Sequence, residues 1–339
     1  MQKHFLKQRF DKQLLVMDSS YIYSAVRTRT LASMLVNEAD VERLLGSSNR
    51  DELRSALLDS YLALYVNQSS DWNIDNILES HQLDAVRLLL QISPDPVIIY
   101  GLLSKYDFHN ARVVAKSNIA NFSYEQVVKN MSSLGRYSVE VFYEHASQGT
   151  LYRLGSELQK AYTDALSLLE AKEIDKAEFA IDACYWNYRR NHAEFVDDSF
   201  VRDLLAIEID LYNAQVRLRS EVIESFDFSK LLQQGGSLSI DKFISIESTQ
   251  NALSVYGGDI YWQEAFENLH SDGLGLASRL IRQYVCNYVH RASNDMFCTA
   301  SLFNYLFSVE NSADVIRTIV TGVESGLSES SIRSRIPSL

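Results

Sequence analysis

The chain has 339 residues, 46% hydrophobic and 22% charged, enough apolar material for two or three domains or one large helical body. Thirty-two basic against forty-four acidic residues leave a net charge of −12, which argues against a sequence-independent grip on nucleic acid through a basic face, though not against a local basic patch. Three prolines and thirteen glycines, two of the latter before residue 130, favour an all-α chain, because both residues break helices.

Residues 19–36 read as a helix capped by Ser19 or Ser20, with Ile22, Ala25, Val26, Leu31, Met34 and Leu35 on an apolar face and Arg27 and Arg29 on its other sides. A second helix follows Asn49, where Asp51 and Glu52 suit a first turn and Leu53, Leu57, Leu58, Leu62 and Leu64 recur at helical spacing. Residues 74–92 repeat that pattern until Pro94 and Pro96 enforce a break. The helix restarting near Pro96 runs through Ile99, Leu102, Leu103, Tyr106, Asn110, Val113 and Val114, which sets Asn110 inside an apolar stripe. Segment 118–137 reads as a turn and a short helix with Ser123 as cap and Gln126 completing a capping box. Beyond Gly149 and Gly155 come helices at 156–172, 175–193 and 197–224, the last capped by Asp197 or Asp198. Gln233-Gln234-Gly235-Gly236-Ser237 is the clearest linker. Helical patterns then occupy roughly 240–256, 259–270, 274–292 and 297–322, and Ser328 caps a last short helix before Pro337. No segment alternates as a strand should.

Cys184, Cys286 and Cys298 are odd in number and widely spaced, which fits reduced, buried thiols better than a disulfide framework or a zinc site. The opening Met1-Gln2-Lys3-His4-Phe5-Leu6-Lys7 lacks the apolar core of a signal peptide. The run Pro96–Leu103 is far short of the about 20 residues a bilayer span takes, so direct bilayer insertion is not expected.

The sequence is also self-similar. Asn213 lies 103 positions after Asn110, and Val315 lies 205 after it. Phe122-Ser123 with Val127 returns as Leu327-Ser328 with Ile332 at the same offset of 205, while Phe228-Ser229 forms a looser middle copy. This predicts three copies of one multi-helix module, with units at 1–137, 138–236 and 237–339. A buried asparagine on such a stripe must find partners, so Asn110 and Asn213 either fix register between units or sit half-exposed at its edge. Arg112, Gln215 and Arg317 follow two residues later in the three copies. They form either a solvated helix face or a ring of polar contacts about a pseudo-threefold axis.

Motifs for chemistry are sparse. The chain has no Gly-Lys dipeptide to end a phosphate loop and no Gly-x-Ser-x-Gly. Gly273-Leu274-Gly275 lacks the third glycine of a dinucleotide fingerprint. Glu267-x-x-His270 is one of the two pairs a di-metal bundle site needs, and His192 near Asp197 and Asp198 is better explained by a helix cap. No catalytic, metal or cofactor site is expected.

Four blocks carry a resemblance: Tyr21-Ile22-Tyr23-Ser24-Ala25-Val26-Arg27-Thr28-Arg29 with Leu44-Leu45; Tyr106-Asp107-Phe108-His109-Asn110-Ala111-Arg112; Glu208-Ile209-Asp210-Leu211-Tyr212-Asn213; and Ile316-Arg317 through Gly326-Leu327-Ser328 to Ile332-Arg333. In order and spacing they resemble the C subunit of archaeal and bacterial A/V-type rotary ATPases, itself similar to the d subunit of the eukaryotic vacuolar ATPase. The chain departs from that pattern at Val315, where the last block usually carries Asn, and at Gln215. The resemblance implies a funnel of three helical units: a non-catalytic rotor part, peripheral on the cytoplasmic side of the membrane, seated on the proteolipid ring and receiving the foot of the central shaft. It would pass torque during ATP-driven proton or sodium transport, or during ATP synthesis. On recurrence and polarity, Arg27, Arg29, Arg112, Gln215 and Arg317 are the expected partner contacts. A general all-helical protein-interaction scaffold is the alternative.

Overall fold

A computed structural model of the chain describes residues 20–70, 72–222 and 228–337. The predicted cap Ser19, the opening Met1–Lys7 and positions 223–224 of the predicted 197–224 helix lie outside them. Among the described residues there are α-helices and short turns and no strand, so the all-α expectation holds. The helices are α1 (20–32), α2 (Glu38–Leu45), α3 (Arg50–Leu58), α4 (Ala63–Gln68), α5 (Ile74–Ile92), α6 (Pro96–Ala120), α7 (Tyr124–Asn130), α8 (Val139–Ser147), α9 (Ser156–Glu170), α10 (Ile174–Val196), α11 (Ser199–Val222), α12 (Ile246–Leu253), α13 (Asp259–Glu267), α14 (Leu274–Ala292), α15 (Ala300–Glu324) and α16 (Glu329–Arg333).

Local chemistry sets most boundaries. Ser123 and Gln126 form the predicted capping box of α7, and Ser328 caps α16. Asp198 caps α11 through the Val201 N–H at 3.0 Å, whereas Asp197 is left-handed (φ 53) and closes α10. Asn37 and Asp40 form a capping box for α2, a helix the apolar periodicity did not reveal because eight residues make barely two turns. α8 was hidden for the same reason, nine residues long behind its Ser138 cap.

The chain divides into two compact units. Among the described residues, the first comprises those up to Pro96 and from Cys286 on, the second those from Val97 to Val285. In the first, Val315, Ile316, Ile319 and Val320 of α15 share one core with Leu53, Leu57, Leu62, Ile77 and Leu78. Each such side chain contributes about 1.5–3 kcal/mol on burial. Around that core Arg333 grips Glu42 at 2.5 Å, and Glu324 receives both Arg50 Nε at 2.9 Å and Trp72 Nε1 at 2.8 Å. The predicted face of α1 is corrected: Ile22, Val26 and Met34 are exposed, while Tyr21, Ser24, Ala25 and Thr28 are buried. Ser24 donates to the Ile92 carbonyl at 2.5 Å and Thr28 turns back to the Ser24 carbonyl at 2.8 Å, so small, internally satisfied hydroxyls line the side that packs.

In the second unit α6 buries thirteen of its 25 residues, the polar Ser104, Asp107, Asn110 and Ser117 among them. Phe108, Ala111, Val114 and Ala115 join Phe142, Leu151, Ala161, Ala165, Ile181 and Cys184 in its main core. A smaller cluster of Leu218, Ala265, Leu269 and Ala277 ties α11 to α13 and α14.

Candidate functional site

The most distinctive constructions sit on α6 and α11. Asp107 and Asn110 lie three residues apart on α6 and so share a face. Both are buried. Asn110 donates through Nδ2 to the Ser132 carbonyl at 2.9 Å, and its Oδ1 accepts the Ser132 N–H at 2.7 Å. Asp107 Oδ1 accepts the Arg136 N–H at 3.0 Å. Two side chains thus hold the loop after α7 flat against the helix, and Gly135 fits there because a Cβ would stand 2.5 Å from Asp107 Oδ1.

The arrangement recurs on α11 with Asp210 and Asn213, again buried. Asn213 donates to the Gln233 carbonyl at 2.8 Å and accepts the Gln233 N–H at 2.7 Å. Asp210 Oδ2 accepts the Ser237 and Leu238 N–H groups at 2.8 and 3.1 Å, and the Tyr256 hydroxyl donates to the same oxygen. A Cβ on Gly236 would meet Asp210 Oδ1 at 1.9 Å. The stretch predicted as a linker is therefore pinned down: its glycines allow close approach to a carboxylate. Asn110 and Asn213 are deeply buried rather than half-exposed, and each satisfies both polar groups of a single loop residue downstream of its own helix. Leaving such a buried donor or acceptor unpaired costs about 1–3 kcal/mol.

Both carboxyls are perturbed. Burial pushes Asp107 up to about 7, against the lowering influence of the Tyr137 and Arg136 N–H groups and the Arg136 charge. Burial likewise raises Asp210, against the Tyr256 hydroxyl and the Leu238 and Ser237 N–H groups. Tyr256 is raised by its burial and by that carboxylate.

At the corresponding places on α15 stand Ser312 and Val315, both buried, with Val315 in the apolar core. At these two places the third long helix carries a hydroxyl and a hydrocarbon where the other two carry a carboxylate and an amide.

The predicted contact residues divide. Arg112 reaches Glu178 at 2.5 Å and Asp182 at 2.8 Å on α10, and Lys116 also pairs with Glu178. Arg317 pairs with Asp75 at 2.7 Å, in the first turn of α5, and with Asp314 at 2.7 Å. Gln215 donates to the Ser278 hydroxyl at 2.8 Å. Arg29 donates to the Ser293 carbonyl. Arg27 is exposed and bonds the Tyr23 hydroxyl at 2.7 Å on its own helix. So Arg29, Arg112, Gln215 and Arg317 each bridge to another part of the chain while staying half-buried.

Sequence reasoning missed two features. Arg189, buried in α10, pairs with Glu208 of α11 at 2.6 Å and donates to the Tyr185 hydroxyl at 2.6 Å. No residue pattern announces it, since its partner is 19 positions away. The second feature ends α6 and α15 alike. Asn121 (φ 53) and Gly326 (φ 69) turn the chain left-handed, and the next residues, Phe122 and Leu327, donate back to Ser117 and Gly322 at 3.0 Å. That leaves Phe122 and Leu327 exposed over grooves lined by Val114, Ser117 and Val127 in one case and by Gly322, Ile332 and Arg335 in the other.

Three histidines hold structural contacts. His192 Nε2 bonds the Val97 carbonyl at 2.8 Å, His109 Nε2 the Asn130 carbonyl at 3.2 Å, and His145 Nδ1 the Thr150 hydroxyl at 2.8 Å. Glu267 accepts from Gln263 at 2.7 Å. Among the described residues no three His, Cys, Asp or Glu side chains gather as metal ligands, and no helix is long and apolar enough to cross a membrane.

These helices match a known family. Residues 25–335 fit the family described as ATP synthase (C/AC39) subunit. The chain is 21% identical over 336 residues to the C subunit of the A-type ATP synthase of Methanosarcina mazei, covering 94% of this chain and 93% of that protein. It is 27% identical over 267 residues to the C subunit of the A-type ATP synthase of Haloquadratum walsbyi, covering 70% and 73%. It is 20% identical over 313 residues to the C subunit of the V-type sodium ATPase of Enterococcus hirae, covering 89% and 93%. The chain belongs to the ATP synthase (C/AC39) subunit family.

Proposed function

We propose that the chain is the non-catalytic central-stalk adaptor of a V/A-type ATPase, coupling the rotating shaft to the membrane proteolipid ring during ATP-driven proton or sodium transport or during ATP synthesis. Membership of a rotary ATPase follows from the family; the adaptor role is the finer reading. The observation that carries it is the clamp built twice, on α6 and α11, where Asp107 with Asn110 and Asp210 with Asn213 pin the following loops. A part that passes torque must resist deformation, and buried, fully satisfied polar networks stiffen a fold. The reading divides the chain at 1–137, 138–236 and 237–339 into three units about a pseudo-threefold axis, with Asn110 and Asn213 each pinning a loop within its own unit. It puts the chain at the cytoplasmic face of the membrane without insertion. Arg27, Arg29, Arg112, Gln215 and Arg317 lie on the faces assigned to shaft or ring.

The test is depletion and add-back. A complex lacking this chain should hydrolyse ATP without moving ions, and added purified chain should restore transport. Retention of ion transport without the chain, or a pull-down recovering neither shaft nor ring, would refute the adaptor reading. Arg27→Glu, at an exposed position bonded to Tyr23 of its own helix, should weaken co-purification while leaving the melting temperature unchanged.

A further inference from the structure

The ends of α6 and α15 fold back by the same left-handed turn, yet the two folded-back helices are held differently. After α6, Asn121 leads through Phe122 into α7, whose Val127 is buried. The chain then runs into Ser132 and Arg136, which Asn110 and Asp107 pin from α6. α7 is therefore anchored on both sides by backbone that α6 itself holds.

After α15, Gly326 leads through Leu327 into α16, whose Ile332 joins the core of the first unit. Ile332 sits in a notch made by Gly322, where a Cβ would stand 2.7 Å from Ile332 Cγ1; Ser117 occupies the matching place on α6. The positions matching the clamp are Ser312 and Val315, so no carboxylate–amide pair receives the chain beyond α16. The outer hold is ionic instead. Arg333 donates through Nη1 and Nη2 to the two carboxylate oxygens of Glu42 on α2 at 2.7 and 2.5 Å, and through Nε to Glu329 at 2.8 Å. The side chains of Arg333, Glu42 and Glu329 are 42%, 60% and 57% exposed. Ion pairs this open to water are weak and are screened by salt.

We infer that residues 327–337 form a strap poised to open on ionic competition. The Gly326 turn is its pivot, Ile332 in the Gly322 notch its seat, and Arg333 on Glu42 its latch. Opening frees Glu42 on α2. It also turns the groove between Thr318, Thr321 and Ser325 of α15 and Leu327 and Arg335 of the strap into an open trough along α15. α7, built on the same plan but clamped, stays shut. The strap is a property of the first unit alone; it goes beyond the adaptor reading and neither stands nor falls with it.

Hydrogen–deuterium exchange on the full chain tests it. Between about 50 mM and about 1 M sodium chloride, amides of 331–336 should come to exchange about threefold faster, while those of α7 and of 312–320 in α15 keep their rates. Salt-independent exchange at 331–336, or an equal gain at 312–320, would overturn the strap. Arg333→Gln should show the fast rate already at low salt and no further salt dependence; a dependence that survives would sink the latch. Gly322→Ala tests the seat. Alanine suits a helix interior better than glycine, so α15 itself is not weakened, and the added methyl strikes Ile332 first. Exchange at 331–336 should rise about tenfold with 312–320 unchanged. In an Ile332→Ala chain, whose strap has already lost its seat, the same Gly322→Ala change should add nothing, because the atoms it would strike are gone. Unchanged exchange in Gly322→Ala, or equal increments in the two backgrounds, would overturn the seat.

Discussion

At matching places two long helices of this chain carry a carboxylate and an amide; a third, of similar length, carries a hydroxyl and a hydrocarbon. On α6 and α11 the pairs Asp107/Asn110 and Asp210/Asn213 pin backbone loops, whereas Ser312 and Val315 occupy those places on α15. The difference shows that the repeat preserves a geometric task, fixing the flank of a long helix, more than the chemistry that performs it. Where a glycine-bearing loop lies against the helix, polar side chains must answer its backbone N–H and C=O groups. Where leucine and isoleucine side chains lie against it, an amide would go unanswered.

The sharpest test is to write the missing residue into the third helix. Val315→Asn buries an amide among Leu53, Leu57 and Ile77 with no loop to receive it, and should cost about 3–4 kcal/mol in chemical denaturation. A neutral outcome would mean the three helices are interchangeable and the comparison false. Next come the glycines under the clamps. Gly236→Ala should destabilise by about 3 kcal/mol and Gly135→Ala by about 2 kcal/mol, in the order of their clashes at 1.9 and 2.5 Å with the aspartates. Asn213→Leu and Asn110→Leu each strand a loop N–H and C=O and should each lower stability by about 2 kcal/mol. A gain in stability from either would remove the clamp's structural role.

The smallest effect is a pH dependence. The Asp107 carboxyl is raised on folding to about 7, so its neutral form is favoured in the native state. Its contribution is fully present below the ordinary carboxylate value and is lost as pH rises through about 7. Unfolding free energies measured from about pH 5 to 8 should therefore fall with pH more steeply in the natural chain than in Asp107→Asn, which carries no titrating group there. Identical profiles would show that Asp107 stays ionised throughout. Asp210 shifts in the same direction, and Asp210→Asn should flatten the profile further.

Much of this was legible from residues alone. Long helices such as α5, α9 and α14 follow from apolar periodicity, and Ser123 with Gln126 announces α7 as a capping box. The recurrence of Asn at 110 and 213 pointed to the clamps, and Val315 marked the copy that lacks one. The second halves of the clamps were not legible. Asp107 and Asp210 read as ordinary acidic positions, and Gln233–Ser237 read as a free linker, because a loop's attachment depends on what lies about 20 or more residues away. The face of α1 was misread for a related reason: Ser24 and Thr28 count as polar in any periodicity, yet their hydroxyls are satisfied by backbone carbonyls and pack inward.

The sequence by itself determined the long helices, their order, caps such as Ser123 and Ser328, and the family, since each rests on neighbours within a few turns or on spacing that survives as a pattern. Only the tertiary structure decided which polar groups are buried and what answers them. A carboxylate becomes a clamp, and an arginine such as Arg189 becomes a buried ion pair, only when folding brings a distant partner within about 3 Å and removes the water that would otherwise take its place.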